Sequence, residues 1–226
     1  MLVLNFVLAE SALELVPREL AGARAVAADS KRRGKAPTEI LLDRSFHHSA
    51  MGKLKDSEKR GRPDLVHVAL LSVTGTPLYL DGKVRVYVHT WPDVVVELAE
   101  KTRIPKNYLR FRGLMEDALG DSGGGELVKA YKSNLSDLLT RRVRPDEVTA
   151  FSIQGETAKL EGVGMRVAAE KNPCLLVGGF PHGHFSPATL GVADRLVRID
   201  GRPLEAHVVA ARLVYEVEKA TNRLND

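Results

Sequence analysis

The sequence contains a single cysteine, Cys174, among its 226 residues, and this scarcity excludes several classes of protein. One thiol cannot form an intramolecular disulfide or a metal site built from several thiolates, so a reducing compartment is expected. No apolar run reaches the roughly 20 residues that a membrane-spanning helix requires. We therefore expect a cytoplasmic protein without a membrane segment.

The excess of positive charge is small, because 33 Lys and Arg face 29 Asp and Glu, which leaves a net charge of +4. This balance permits a nucleic-acid partner but does not require one. The basic residues cluster around two segments, 60–65 and 102–113. If a helix begins at Pro105, Lys106 and Arg110 share one face and Arg103 extends it. Such a row can follow a phosphate backbone, although a solvated helix face gives the same pattern.

Alternating strand and helix patterns predict an α/β domain. The apolar run 2–9 has no basic region before it, and Glu10 and Glu14 follow at once, so it predicts a buried strand and not a signal sequence. Other strands are predicted at 40–42, 148–153, 174–179 and 196–199, with a hairpin formed by 78–80 and 84–89 around Asp81-Gly82. Helices are predicted to begin at residue 11 and to span 64–71, 105–119, 126–139, 164–170 and 204–219, while 43–61 reads as irregular.

Two turns are candidates for a ligand site. An apolar strand runs into the glycine-rich turn Gly178-Gly-Phe-Pro-His-Gly183, and a short strand precedes Ile199-Asp-Gly-Arg-Pro-Leu204. Ligands of open α/β sheets bind beyond the carboxyl ends of the strands, where glycine lets backbone approach them. Neither turn has a dinucleotide or P-loop pattern, so plain strand–helix connections are the alternative. The pairs His47-His48 and His182/His184 lack the further ligands of a metal site.

Several separated motifs resemble one family. They are Leu42-Asp-Arg-Ser-Phe-His-His-Ser-Ala-Met51, Arg62-Pro-Asp-Leu-Val-His67, Thr76-Pro-Leu78, Val86-Tyr-Val-His-Thr90, Arg103-Ile-Pro-Lys106, Gly113-Leu-Met115 and Gly178-Gly-Phe-Pro-His-Gly183. Together they resemble the ribosome-biogenesis pseudouridine N1-methyltransferases, which belong to the SPOUT class and act on small-subunit rRNA. The resemblance runs from Leu2 to the last helix, and the compact length resembles archaeal members.

The resemblance implies one α/β-knot domain over residues 1–226, with a deep trefoil knot in its C-terminal half and a family-specific extension around 45–115. It implies a homodimer that binds S-adenosyl-L-methionine and small-subunit rRNA, and it leaves room for ribosomal assembly factors as further partners. The cofactor is expected to be held mostly by backbone groups of the two turns. The matching positions are Phe151, Gly178, Gly183, Ile199, Asp200, Gly201, Arg202, Pro203 and Leu204.

The resemblance also implies roles for charged residues. Arg62 and Asp64 match catalytic positions, with the acid stabilising the arginine, and the RNA-binding positions match Arg62, Arg103, Lys106 and Arg110. Lys106 departs from the arginine of some members; lysine neutralises a phosphate but cannot form a bidentate fork. A carboxylate paired with arginine is a weak base, so the general base stays unnamed. The expected activity is methylation of pseudouridine at N1, and the alternative is an rRNA-binding assembly factor in which methylation is secondary.

Overall fold

A seven-stranded sheet forms the centre of the fold, with the strand order β4-β3-β2-β1-β6-β5-β7. This computed structural model describes residues 2–221, so both ends of the predicted 1–226 domain lie outside the described residues. The strands are β1 (Leu4–Ser11), β2 (Val84–Thr90), β3 (Val94–Leu98), β4 (Val128–Lys132), β5 (Val148–Thr157), β6 (Cys174–Gly178) and β7 (Arg195–Arg198). β1 lies between β2 and β6 and is parallel to both, and β5 and β7 continue the parallel part. β3 and β4 are antiparallel additions at one edge.

Helices cover both faces of this sheet. They are α1 (Arg24–Arg33), α2 (Arg44–Met51), α3 (Pro63–Thr74), α4 (Pro77–Leu80), α5 (Tyr108–Leu119), α6 (Leu135–Asp137), α7 (Leu160–Ala169), α8 (Pro187–Leu190) and α9 (Ala206–Ala220). A π-helix, Leu138–Val143, continues α6, and single 3-10 turns lie at Arg18–Leu20, Pro37–Glu39 and Ser57–Lys59. No helix within residues 2–221 is both long and apolar enough to cross a membrane.

The central strand explains the apolar start of the sequence. Every residue of β1 is buried, because both faces of the parallel sheet are covered. Side chains alternate between the faces, so Phe6 and Leu8 pack in one core cluster with helices α3 and α9. Val7 and Ala9 pack on the opposite face in a second cluster with the α6 segment and Phe185. The predicted strand at 2–9 is therefore confirmed, with its end two residues later.

The C-terminal predictions are confirmed within a few residues. β5, β6 and β7 lie at the predicted strands, and α7 and α9 lie at the predicted helices. α3 is confirmed as well: Pro63 occupies its first turn and Arg62 is the N-cap residue, as the proline preference for helix starts predicts.

The predicted hairpin at 78–89 is wrong. Residues 77–80 form helix α4, because Thr76 caps the backbone N–H of Tyr79 and Pro77 suits a first helical position. β2 instead pairs in parallel with β1, with Leu4 opposite Val84. Its hairpin partner is β3, which follows a turn that contains Asp93 at a φ of +56°.

Other predictions in the first two thirds of the chain need correction. No helix begins at residue 11, since β1 extends to Ser11, and 40–42 forms only a single bridge, between Leu15 and Leu41. The segment 126–139 begins with strand β4, which is stabilised by its pairing with β3, and only its end is helical. Within the supposedly irregular 43–61, Asp43 accepts a hydrogen bond from the Ser45 N–H and starts helix α2.

Candidate active site

A cavity of about 590 Å³ opens at the carboxyl ends of β6 and β7 and beside the middle of β5, at Phe151–Ile153. Parallel strands end at the same edge of a sheet, which brings the two turns identified in the sequence together. Eight of the nine expected cofactor positions line the cavity: Phe151, Gly178, Gly183, Ile199, Asp200, Arg202, Pro203 and Leu204. Gly201 lies in the same turn but outside the lining. The expected cofactor residues therefore share one concave site.

Glycine shapes the first wall of this cavity. A Cβ on Gly178 would lie 2.9 Å from the Phe180 ring, and Gly183 has a φ of +92°, a conformation that L side chains rarely adopt. The Phe180 and Phe185 rings pack edge to face, with their centres 5.6 Å apart. This wall therefore combines backbone and aromatic carbon with the exposed side chains of His182 and His184.

The second wall is the turn that leads into α9. The Asp200 carboxylate accepts hydrogen bonds from the Arg202 backbone N–H at 3.0 Å and from its Nε at 3.1 Å. These two bonds lower the pKa of Asp200 and hold the turn in shape from within. Ala206 and Val209 of α9 contribute apolar lining.

Arg62 and Asp64 form a bidentate ion pair next to the cavity. Arg62 Nε and Nη2 donate to the two Asp64 oxygens at 2.8 and 2.9 Å, and the side chains remain 36% and 48% exposed. Burial of the Asp64 carboxyl opposes its ionisation, but the hydrogen bonds and charge of Arg62 prevail and lower its pKa. Asp64 therefore stays ionised and keeps the guanidinium in a fixed orientation.

Backbone contacts connect Arg62 to the cavity wall. The Arg62 N–H donates to the Ala12 carbonyl at 3.0 Å, and the Ala12 N–H donates to the Gly179 carbonyl at 2.8 Å. The pKa of Arg62 is raised mainly by its hydrogen bonds to Asp64, and the nearby negative charge of Glu205, a residue that lines the cavity, raises it further. The structure thus brings the expected catalytic pair and the expected cofactor residues together.

The basic row is Arg103, Lys106 and Arg110, and its predicted helical spacing is wrong. Helix α5 begins at Tyr108, because the Asn107 side chain accepts from the Arg110 N–H, so Lys106 lies before the helix. All three side chains are exposed. Within residues 2–221, none of them has an ion pair or side-chain hydrogen bond in the protein, which leaves them available to an anionic partner.

Sequence reasoning missed a buried charged network behind this row. Glu116 accepts from Arg33 at 2.6 and 2.5 Å, from Lys35 at 3.0 Å and from the Leu41 N–H at 3.0 Å. Those bonds outweigh the effect of burial and lower the pKa of Glu116. The Asp43 carboxylate, which caps α2, accepts from the Tyr108 hydroxyl at 2.5 Å. An aspartate at a helix start is a local signal that could have indicated the α2 cap, but the bond between Asp43 and Tyr108 depends on the fold.

The histidine pairs do not assemble a metal site. His47 is buried: its Nδ1 accepts from the Asp43 N–H at 3.1 Å, and its Nε2 lies 3.5 Å from Asp29. His182 and His184 line the cavity and are exposed. Over residues 2–221, no group of three or more His, Cys, Asp or Glu side chains is placed to hold a metal ion.

Comparison with known proteins agrees with this geometry. The profile of the family described as EMG1/NEP1 methyltransferase matches residues 6–218. The ribosomal RNA small subunit methyltransferase Nep1 of Staphylothermus marinus is 39% identical over 224 residues, which cover 97% of this chain and 96% of the relative. Nep1 of Thermococcus onnurineus is 40% identical over 218 residues, 95% of this chain and 98% of the relative.

A solved structure adds a ligand-bound relative. The crystal structure of Archaeoglobus fulgidus Nep1 bound to S-adenosylhomocysteine has a TM-score of 0.82 and 33% sequence identity, and covers 98% of this chain and 99% of that chain. The family match and these near full-length similarities lead to one assignment. The chain belongs to the EMG1/NEP1 methyltransferase family.

Proposed function

We propose that this protein transfers a methyl group from S-adenosyl-L-methionine to small-subunit rRNA, at N1 of a pseudouridine. The observation that carries the proposal is the single cavity lined by eight of the nine expected cofactor residues, with the Arg62–Asp64 pair beside it. Relatives named as rRNA small subunit methyltransferases, and a structural neighbour bound to S-adenosylhomocysteine, support the same chemistry.

The cavity fits such a cofactor. Its volume lies within the range of about 300–1,000 Å³ that is usual for small-molecule sites. Phe151, Ile199 and Leu204 supply apolar surface, and the glycines at 178 and 183 let backbone groups approach the ligand. When bound, the cofactor supplies a methyl group on a positively charged sulfur. The chain's own task is then to bring the acceptor nitrogen into line and to exclude water.

Arg62 is proposed to hold the target nucleotide or its phosphate. A base must leave its stack to reach a cofactor enclosed in a cavity, and an oriented guanidinium can hold the displaced nucleotide. Asp64 keeps Arg62 oriented through two charge-assisted hydrogen bonds, but its lowered pKa makes it a poor proton acceptor. Pseudouridine carries an N1–H that uridine lacks, so the modified base alone offers this nitrogen.

The basic row is proposed to bind the rRNA backbone. Arg103, Lys106 and Arg110 are exposed and, within the described part of the chain, have no acidic partner. Each is expected to neutralise about one phosphate.

The domain organisation of the family is part of the proposal. A deep C-terminal trefoil knot is part of the proposal because the chain belongs to the EMG1/NEP1 family. A homodimer is supported by the exposed apolar side chains of Met165 on α7 and Tyr215 on α9, two helices that pack together. The extension around 45–115 would belong to the same single domain, since it contributes β2 and β3 to the sheet.

Two measurements test the activity. A hairpin of rRNA that contains one pseudouridine is incubated with protein and S-adenosyl-L-methionine, and the nucleosides are analysed by mass spectrometry. We expect a gain of one methyl group on the pseudouridine and none on a matched uridine hairpin. Equal methylation of both hairpins would contradict the N1 assignment.

Calorimetry with S-adenosyl-L-methionine separates the enzyme from the alternative, an rRNA-binding assembly factor in which methylation is secondary. The enzyme binds both cofactor and hairpin. Hairpin binding without cofactor binding would favour the assembly factor and contradict the methyltransferase.

A further inference from the structure

Glu10, the penultimate residue of the central strand β1, has an unusual backbone conformation. Its φ of +50° lies in the left-handed region, which is uncommon for residues other than glycine, and the residue is only 4% exposed. The Glu10 N–H donates to His89 Nδ1 at 3.3 Å, which fixes the backbone there. Such strain persists only where surrounding contacts impose it, and it often marks a functional site.

The Glu10 carboxylate is directed at the first cavity wall. It accepts from the Ser186 N–H at 2.7 Å and from Lys59 Nζ at 3.1 Å. Burial opposes ionisation of Glu10, but hydrogen bonds from Thr189, Ser186 and Lys59 outweigh it and lower its pKa. The carboxylate thus holds one end of the loop formed by residues 180–186.

Lys59 holds the rest of that loop. Its Nζ also donates to the His184 carbonyl and lies 4.5 Å from the centre of the Phe180 ring. A Cβ on Gly183 would lie 2.9 Å from Lys59 Cε, so the lysine stem runs directly along that glycine. The Lys59 side chain is only 12% exposed. Lys59 therefore contacts the start and the middle of the 180–186 loop, at Phe180, Gly183 and His184, while Glu10 holds its end at Ser186.

The segment that carries Lys59 is itself braced. Its neighbour Arg60 is buried and donates twice to Glu14 at 2.7 Å. Arg62 follows three residues after Lys59 and donates through its backbone to Ala12. The cofactor loop is thus attached to the same short segment that presents the proposed RNA-binding arginine.

We infer that Lys59, paired with Glu10, is a positioning residue that holds the 180–186 loop in the shape that encloses the cofactor. This inference rests on the proposed function of the cavity. Because Lys59 touches the loop and not the reacting atoms, its loss loosens the cofactor wall and leaves the RNA contacts in place.

The test compares Lys59→Met with Lys53→Met, a matched loss of an exposed lysine six residues earlier. In hydrogen-exchange mass spectrometry without ligand, we expect a peptide covering 180–186 to exchange about tenfold faster in Lys59→Met, with β6 unchanged. Its affinity for S-adenosylhomocysteine should fall about tenfold, and its KM for the cofactor should rise while its KM for the RNA hairpin stays constant. Lys53→Met should match the wild type in every measurement.

Exchange of the 180–186 peptide at the wild-type rate in Lys59→Met would overturn the inference. Lys59→Met could be unfolded, in which case all of its peptides would exchange rapidly. The inference is then tested with Glu10→Gln, which keeps an acceptor for the Ser186 N–H and removes the charge that faces Lys59. Faster exchange confined to 180–186 in that variant supports the inference, and wild-type exchange overturns it. A wild-type protein that binds no S-adenosylhomocysteine would contradict the proposed function, while the exchange comparison would still decide on Lys59.

Discussion

The cavity and the charged network behind the basic row are held together in opposite ways. The cavity walls consist largely of backbone, glycine and apolar or aromatic side chains. The network is built on two buried carboxylates: Glu116 binds the partly buried Arg33 and Lys35, and Asp43 accepts from the Tyr108 hydroxyl. A backbone-built wall depends on local conformation, whereas an ionic network depends on every partner being present.

This difference indicates where each region is sensitive to substitution. Removing one partner from a buried ion pair leaves the other charge without compensation, which costs stability throughout the domain. Adding atoms to a glycine wall changes the shape of the cavity, which costs ligand affinity more than stability. Substitutions in the two regions should therefore separate stability from cofactor binding.

The largest expected effect on stability is that of Glu116→Ala. The change leaves Arg33 and Lys35 without their shared carboxylate and the buried Leu41 N–H without an acceptor. We expect the free energy of unfolding to fall by about 3–5 kcal/mol in urea titrations at pH 7, with cofactor affinity unchanged below the transition. Asp117→Ala, which removes an exposed neighbouring carboxylate, should change the free energy of unfolding by less than about 0.5 kcal/mol.

The same carboxylate predicts a dependence on pH. Because the pKa of folded Glu116 lies below its ordinary value of 4.5, its contribution is complete above that pH and is lost as the pH falls through the folded pKa. The stability difference between wild type and Glu116→Ala should therefore shrink below about pH 4.5. A difference that stays constant down to acid unfolding would contradict an ionised Glu116.

Arg62→Ala should give the largest effect on methyl transfer. Loss of a charge-assisted contact is expected to cost about 1.5–3 kcal/mol in hairpin binding, and methyl transfer should fall below detection because the target base is no longer held. The fold should persist, since the side chain is partly exposed and its pair with Asp64 is local. Arg85→Ala, an exposed arginine on β2, is the matched control. Normal turnover by folded Arg62→Ala would refute the assigned role.

Gly183→Val tests the cavity side of the comparison. Valine is strained at a φ of +92°, and its Cβ would displace Lys59. We expect calorimetry to show S-adenosyl-L-methionine affinity reduced at least about tenfold, which corresponds to about 1.4 kcal/mol. Hairpin affinity should be retained. Gly22→Val, in an exposed turn with open space around it, should bind the cofactor normally; an unaffected Gly183→Val would move the cofactor elsewhere.

Arg110→Ala should have the smallest effect of these substitutions, a modest change in the salt dependence of hairpin binding. If the residue neutralises one phosphate, the slope of log affinity against log salt should decrease in magnitude by about 0.7 for a single-stranded contact. Lys132→Ala, an exposed lysine on β4, should leave the slope unchanged. Superimposable titrations for Arg110→Ala and wild type would reduce the basic row to a solvated surface, and cofactor affinity should not change in either variant.

The sequence predicted the turns that form the cavity better than it predicted the charged network around Glu116 and Asp43, for a physical reason. The two turns, Gly178–Gly183 and 199–204, were predicted from local patterns: in each an apolar strand is followed by glycine or by a helix start. Resemblance to the family then supplied their role as cofactor-binding turns. α2 was missed because one of its two buried side chains, His47, is polar and lies against Asp29, 18 residues earlier in the chain.

Long-range pairing accounts for most of the remaining errors. β2 was expected in a local hairpin, but its first partner is β1, about 80 residues earlier in the chain. Lys59 and Glu10 lie 49 residues apart, and neither matches a local motif. No periodicity in one segment reports a contact of this kind, so the structure was needed to find it.

The central position of β1 has a consequence for how the protein is made. The Asn5 N–H donates to Pro173, 168 residues later, so the middle of the sheet cannot close until most of the chain has been translated. At about 5–20 residues per second, the first strand waits roughly ten to thirty seconds for this partner on the ribosome. During that time a largely apolar strand remains without one of its neighbours, and such species are prone to aggregate. Early pairing with β2, about 80 residues after β1 in the chain, would shield one edge of β1 during synthesis.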